Sequence, residues 1–404
     1  MNFELVPRKL LPLKIATHNK ILVIRGGAIG DFILTLPVLA ALRRQFPQTH
    51  LEVLGYPHIA QLAVAGGLAD AVRSIEARPL AGFFARRGNL AEEWREYFAG
   101  FAVIISYLYD PDGFFQANVT AGTKAQFLAG PHRPDDTAGR HATEVFLQPL
   151  ERLAIFDADP VPRLALVPLT AGAPSAHESE RRFPNRRESR SRRSEPIWKS
   201  ALRPIPGTPP AVLPVNPLLV VHPGSGSPRK NWPVEHWAAL LADYLRAPDA
   251  RLLLVGGEAD GPALAHLQRV LPAARVELAI GLPLAALAAR LAMNRSADFQ
   301  SGGSPDAIEA RRFGNWRSEV PGFQAPDLVR GILPACHAFV GHDSGITHLA
   351  AAVGLPGLAL WGETVEAVWH PRGARIKVLR AEGSLAALPV ARVREELHRL
   401  LAPA

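Results

Sequence analysis

Apolar residues in this chain gather into short runs that close on glycine or a small polar turn, and the stretches between them carry apolar residues at helical spacing. Ile21 to Ile24 ends in Arg25-Gly26-Gly27-Ala28-Ile29-Gly30-Asp31, followed by a helix-like segment from Phe32 to Phe46. Leu51 to Leu54 and Phe101 to Ser106 are further runs of this kind. A second series opens at Leu218 to Val221, turns through His222 to Asn231, and continues as a helical pattern over Val234 to Leu245. Arg251 to Gly257, a helix over Pro283 to Leu291, His337 to Gly341 and Gly357 to Gly362 complete it. Continuous apolar runs between turns are what a sheet buried on both faces produces, and their alternation with helices predicts parallel strands. The expected fold is α/β, built from two Rossmann-like halves.

Two stretches break the pattern. Residues 171–217 are rich in Pro, Ser and Arg without apolar periodicity, which predicts a disordered linker or insertion between a first domain over 1–170 and a second over 218–404. The second domain is itself interrupted by a loop-like insertion at 294–324. The two stretches share a short resemblance, Arg181-Arg182-Phe183-Pro184-Asn185-Arg186 against Arg311-Arg312-Phe313-Gly314-Asn315-Trp316, as copies of one inserted element would. A tolerated surface insertion is the favoured reading, because lengthening a loop costs little entropy; a tether to nucleic acid or anionic lipid is the other.

Composition narrows the class. At 404 residues the chain is long enough for two domains, and 48% apolar with 20% charged residues is globular, not disordered. The formal net charge is +8, but residues 175–203 hold nine Lys or Arg against four Asp or Glu, so five of those charges are local. The remaining body is only mildly basic, which argues against a specific nucleic-acid partner. The single cysteine, Cys336, forms no internal disulfide or cysteine zinc site and fits a reducing cytoplasm. Neither a signal peptide nor a spanning apolar stretch is evident, so a cytoplasmic location is expected.

Ligands of open parallel sheets bind where strands run into helix N-termini, so the glycine turns are the places to look for chemistry. The first turn, with Gly26, Gly27 and Gly30, lacks the G-x-G-x-x-G spacing of a dinucleotide site. It presents Asp31 at a helix start, either as a cap or as a general base facing an interdomain cleft. The second turn, His222 to Pro233, offers Ser225, Ser227 and Lys230 to a departing diphosphate, or is a solvated turn. In the third, Gly341 to Ala352, Ser344, Gly345 and Thr347 sit where helix-start N–H groups meet anions, and Asp343 and His348 could orient the loop or touch a sugar. Glu258, after Gly256-Gly257, either accepts from ribose hydroxyls or answers a helix dipole. No metal-ligand spacing such as H-E-x-x-H and no G-x-S-x-G elbow occurs, so no metal and no serine hydrolase are expected.

The loop RGGAIGD, the segment HPGSGSPRKNWPVEHW and the segment GHDSGITHLAAAVGLPGLALWG, in that order, together resemble glycosyltransferase family 9, the lipopolysaccharide heptosyltransferases. The resemblance runs from about Ile21 to Leu169 and again from Leu218 to the end. It implies a GT-B fold, with an N-terminal acceptor domain, a C-terminal donor domain and parallel sheets facing a central cleft. It also implies metal-independent, inverting transfer of a heptose from ADP-heptose to a core sugar on lipid A, with no cofactor. Asp31 would then be the general base, Lys230 the diphosphate ligand, Glu258 the ribose ligand, and Asp343 to His348 the donor cradle. A monomer in peripheral contact with the inner membrane is expected. Competing readings are a GT-B-type nucleotide-sugar epimerase and a noncatalytic nucleotide-sugar-binding module.

Overall fold

The computed structural model describes residues 20–166, 218–292, 336–373 and 375–401. These residues all fall in one compact unit; the expected linker 171–217 and insertion 294–324 lie outside the described residues.

Two parallel sheets organise the described residues. The first has five strands, β1 (Lys20–Arg25), β2 (Leu51–Gly55), β3 (Ala71–Ser74), β4 (Phe101–Ser106) and β5 (Gln126–Ala129), in the order β3-β2-β1-β4-β5. The second has six, β6 (Leu218–His222), β7 (Arg251–Gly256), β8 (Val276–Ile280), β9 (Cys336–His342), β10 (Gly357–Trp361) and β11 (Ile376–Arg380), in the order β11-β10-β9-β6-β7-β8. Each sheet therefore starts at its centre, grows outward on one side and then reverses, which is the doubly wound wiring of a Rossmann half. The expected α/β fold of two parallel-sheet domains is what the structure has.

The central strands are buried on both faces, as their apolar runs require: Leu22, Val23 and Ile24 in β1, Val103 to Ile105 in β4, and Leu218 to Val221 in β6 are all essentially solvent-free. Each such side chain contributes about 1.5–3 kcal/mol relative to exposure. Helices cover them. The first half carries α1 (Ile29–Gln45), α2 (Pro57–Ala65), α3 (Glu92–Ala99), α4 (Phe114–Ala121) and α5 (Ala142–Leu147). The second carries α6 (Val234–Tyr244), α7 (Gly261–Val270), α8 (Leu284–Ala292), α9 (Gly345–Ala352), α10 (Glu366–Trp369) and α11 (Val390–Leu401). Helix α6 buries Trp237, Leu240 and Leu241 against Leu219, Val221, Leu252 and Val340 in the core of the second sheet.

The two halves meet directly. At the start of α9, a Cβ on Gly345 would lie 2.6 Å from the Ile29 Cβ and 3.0 Å from the Gly30 nitrogen, so only glycine lets the N-termini of α1 and α9 abut. Further along, His141 Nε2 lies 2.9 Å from the His370 carbonyl, Trp369 Nε1 donates to Asp136 at 2.5 Å, and Arg372 pairs with Glu144.

Candidate functional site

In each sheet the strand order reverses beside the first strand, between β1 and β4 and between β6 and β9. A crevice opens at the carboxyl ends of the strands flanking such a reversal, because the following helices leave to opposite faces. The turn 26–31 leaves β1, and the turns 223–233 and 343–344 leave β6 and β9, so all three glycine-bearing motifs occupy the two reversal points.

On the first sheet, α1 begins at Ile29, three residues earlier than the apolar pattern indicates, and Asp31 becomes its third residue. Its Oδ2 accepts from the Ala28 N–H at 3.3 Å, satisfying one of the orphan donors of the helix start. Its Oδ1 lies 3.7 Å from Nη2 of Arg25, an ion-pair partner that precedes the helix instead of following it. Asp31 is one-third exposed while Arg25 is buried. The guanidinium donates to the His132 carbonyl at 2.9 Å and stacks 4.4 Å from the Phe146 ring centre. Burial lowers the pKa of Arg25, and the Asp31 carboxylate opposes that shift. Gly27 has φ of 99°, where a side chain would be strained. Gly30 faces the other half: a Cβ there would come within 3.3 Å of His348 Cδ2. Gly26 has only ordinary contacts.

On the second sheet, Ser344 caps α9, its Oγ accepting from the Thr347 N–H at 3.3 Å. Asp343, beside it, receives Lys230 Nζ at 2.5 Å and the Thr364 hydroxyl at 2.7 Å. His348 is buried in the first turns of α9 among these charges. Burial lowers its pKa to about 4 even though Asp343 and Asp31 both pull the other way. It is therefore a neutral imidazole near pH 7, within electrostatic reach of Asp31 from the first half and of Asp343 and Lys230 from the second.

Several expected ligands are engaged within the protein. The Ser225 hydroxyl lies 2.7 Å from both the Ser227 carbonyl and Asn231 Oδ1 and accepts from the Ser227 N–H, so it braces its own loop. Thr347 is buried and its hydroxyl donates to the His342 carbonyl, which turns it away from the crevice. Ser227 is half-buried, with a hydroxyl that makes no hydrogen bond among the described residues. Glu258 is exposed at the start of a short helical turn, Glu258–Asp260.

The buried carboxylate of that turn is Asp260, which the sequence reading passed over. Its Oδ2 accepts from the Gly257 N–H at 2.8 Å and lies 3.3 Å from His222 Nε2, while His222 Nδ1 lies 3.1 Å from Ser344 Oγ. A Cβ on Gly224 would be 1.6 Å from Asp260 Oδ1, so that glycine is what admits the carboxylate. Next to them His342 is fully buried, donating from Nδ1 to the Gly224 carbonyl at 3.1 Å and accepting the Trp232 N–H at Nε2, 2.9 Å. Burial lowers its pKa to about 4. The available signal was positional: His222 and His342 end the two strands that flank the reversal.

Chemically, the two turns combine a one-third-exposed carboxylate, a neutral imidazole, a lysine and two helix N-termini, the inventory needed to take a proton on one side and hold an anion on the other. Among the described residues no group of three or more His, Cys, Asp or Glu is placed to hold a metal ion. No described helix is long and apolar enough to cross a membrane.

The family model for glycosyltransferase family 9 (heptosyltransferase) matches residues 328–394, which contain the third motif. Lipooligosaccharide heptosyltransferase 2 of Haemophilus influenzae is 27% identical over 177 residues, 43% of this chain and 40% of the relative's own length. The chain thus spans well under half of that relative. The fold is that of a family 9 glycosyltransferase from Veillonella parvula, with TM-score 0.61 at 17% identity over 95% of this chain and 97% of the other. It is equally that of the E. coli ADP-heptose LPS heptosyltransferase II, with TM-score 0.60 at 18% identity over 95% and 98%. The resemblance to family 9 read from the three loops is borne out.

Proposed function

We propose that this chain, with the fold and the donor-side motif of glycosyltransferase family 9, is an inverting glycosyltransferase that moves a heptose or related sugar from ADP-heptose to a core sugar of a lipid A-linked oligosaccharide. The observation that carries the reading is the meeting of the two reversal points at Gly30 and Gly345, which sets the His348 ring of the second half against Gly30, next to Asp31 of the first. A transfer between two bound substrates needs this arrangement, because acceptor and donor must converge on one anomeric carbon from two directions.

In this reading Asp31 takes the proton of the attacking acceptor hydroxyl. Its Oδ2 is held by a single long bond to Ala28, and it is partly exposed, so a lone pair remains for the acceptor. The leaving diphosphate enters against the N-terminus of α9, where the Gly345 N–H, Ser344 and Lys230 supply donors and positive charge. Lys230 then exchanges part of its contact with Asp343 for phosphate, and His348 orients the sugar as a neutral hydrogen-bonding group. Glu258, exposed beyond β7, accepts from the ribose hydroxyls. Inversion follows if the acceptor attacks opposite the diphosphate without a covalent intermediate. No metal or cofactor enters this scheme, and a monomer located in the cytoplasm, touching the inner membrane only peripherally, is part of the proposal.

Thermal shift against a panel of nucleotide sugars tests it, since a ligand bound only by the folded state raises stability. Selective stabilisation by ADP-heptose is expected. Preference for another nucleotide sugar would discard heptose, and sugar epimerised from the donor alone would replace transfer with epimerisation.

A further inference from the structure

Lys230 does not hold Asp343 alone. The Thr364 hydroxyl donates to the same carboxylate oxygen, Oδ2, at 2.7 Å, against 2.5 Å for Lys230 Nζ. Thr364 stands two residues past the third motif, in the turn between β10 and α10, and the proposed transfer gives it no part. Its place is fixed from inside the second half: its backbone carbonyl accepts from Trp361 Nε1 at 2.8 Å, and that indole is buried in the sheet core. Among the described residues no other side chain hydrogen-bonds to Asp343.

The two donors differ in what they can do. The Lys230 side chain is 42% exposed, long and flexible, and can swing to a ligand. The Asp343 side chain is only 10% exposed, so little water reaches it to replace a lost partner. Removing a bond from a carboxylate so nearly buried costs more than the bond itself was worth, because the oxygen is left without the water it gave up on folding. Thr364 therefore governs the cost of releasing Lys230. With its hydroxyl in place, Oδ2 keeps a donor after the ammonium has gone.

We propose that Thr364 is a positioning residue for the nucleotide-diphosphate subsite, holding Asp343 while Lys230 passes from that carboxylate to a phosphate oxygen. The inference rests on the nucleotide-sugar reading above. Only hydrogen bonds are exchanged. Before the ligand arrives, Oδ2 accepts from both groups; afterwards it accepts from Thr364, and Lys230 donates to the diphosphate. Without the hydroxyl, Asp343 has Lys230 alone, and the ligand must draw the ammonium away from a carboxylate that nothing else holds. Thr364 thus acts on the diphosphate through Lys230, without touching it.

The test is calorimetric binding of ADP, with thermal melts, on the full chain as wild type, Thr364→Val, Thr364→Ser, Lys230→Ala and the Thr364→Val/Lys230→Ala double variant. Valine keeps the branched shape and the backbone carbonyl that Trp361 holds, and serine keeps the hydroxyl. ADP affinity should be about tenfold weaker for Thr364→Val, the cost of leaving a charged acceptor unsatisfied, and close to the wild type for Thr364→Ser. Because Thr364 acts through Lys230, the double variant should bind ADP no more weakly than Lys230→Ala alone. Stability should couple in the other direction. Each single variant leaves Asp343 one donor and the double variant none, so its melting temperature should fall by more than the two single shifts together. Additive losses of ADP affinity, as a direct contact of Thr364 with phosphate gives, overturn the proposal, and so does a Thr364→Val protein that binds ADP like the wild type; both leave the nucleotide-sugar reading intact. Absence of ADP binding by the wild type overturns that reading, and this inference with it.

Discussion

Lys230 Nζ rests 2.5 Å from Asp343 Oδ2, so the cation best placed to meet a diphosphate already has a carboxylate in hand. The pair is asymmetric, with Lys230 42% exposed and Asp343 10%. An exposed ammonium gains little from such a bond, generally under about 1 kcal/mol, and can be drawn off by a doubly charged ligand. Lys230→Ala is therefore expected to change the melting temperature little and to weaken ADP binding by about tenfold, the loss of one charge-assisted contact. Calorimetry alongside a thermal melt separates the two effects; equal ADP affinity would remove Lys230 from the site.

Asp31→Asn keeps an acceptor for the Ala28 N–H and loses only the charge and the basicity. Transfer should fall by a factor of about 10² to 10⁴, the usual contribution of a general base, with ADP affinity close to the wild type. Product formation and ADP binding measured on the same preparation decide it. Intact turnover would leave Asp31 as a helix-start residue and nothing more.

Gly345→Ala places a methyl group 2.6 Å from the Ile29 Cβ. Neither helix start can give way without parting the halves, so a loss of about 1–3 kcal/mol is expected, as for other overpacked contacts. Denaturant unfolding measures it. Gly122→Ala, where a Cβ would meet the Val119 carbonyl oxygen only at 4.0 Å, is the control that should be neutral or better.

Acid should unfold the protein through its buried histidines. His141, His342 and His348 all have pKa values lowered to about 4, in each case chiefly by burial. Unfolded, each binds a proton near pH 6.5; folded, each resists until about pH 4. Between those limits the unfolded state holds more protons, so stability rises with pH and is lost as pH falls from about 6.5 toward 4. Unfolding free energies taken at pH 7.5, 6 and 5 should drop with a slope approaching three protons, and His342→Gln should lower that slope by one. A flat profile would show that these rings are protonated in the folded chain.

What the sequence disclosed follows from how deeply each strand is buried. β1, β2, β4, β6, β7, β9 and β10 were legible as apolar runs ending in turns. The four that were not, β3, β5, β8 and β11, are the edges of the two sheets. Ala71-Val72-Arg73-Ser74 is half-buried throughout and Ile376-Lys377-Val378-Leu379-Arg380 exposes Lys377 and Arg380, so a charge interrupts each short run without leaving a strand long enough to show alternation. The site was legible to the same depth. Asp31, Lys230, Asp343 and His348 stand in turns whose composition draws notice. Asp260 contacts His222 across 38 residues of chain, and nothing in either neighbourhood announces the other. Ser225 and Thr347 show the reverse: hydroxyls in phosphate-loop company that fold back to brace the backbone.

The contact between Gly30 and Gly345 also sets two like poles against each other. Each helix start carries roughly half a positive charge, and α1 and α9 meet start to start, with the Ile29 side chain and the edge of the His348 ring packed at the contact. Left bare, that junction would push the halves apart; Asp31 on one side and Asp343 on the other serve as its resident counter-ions. An anion bound there would strengthen the same neutralisation, so that ligand and scaffold would share one electrostatic keystone and the ligand would also tighten the hold between the two halves.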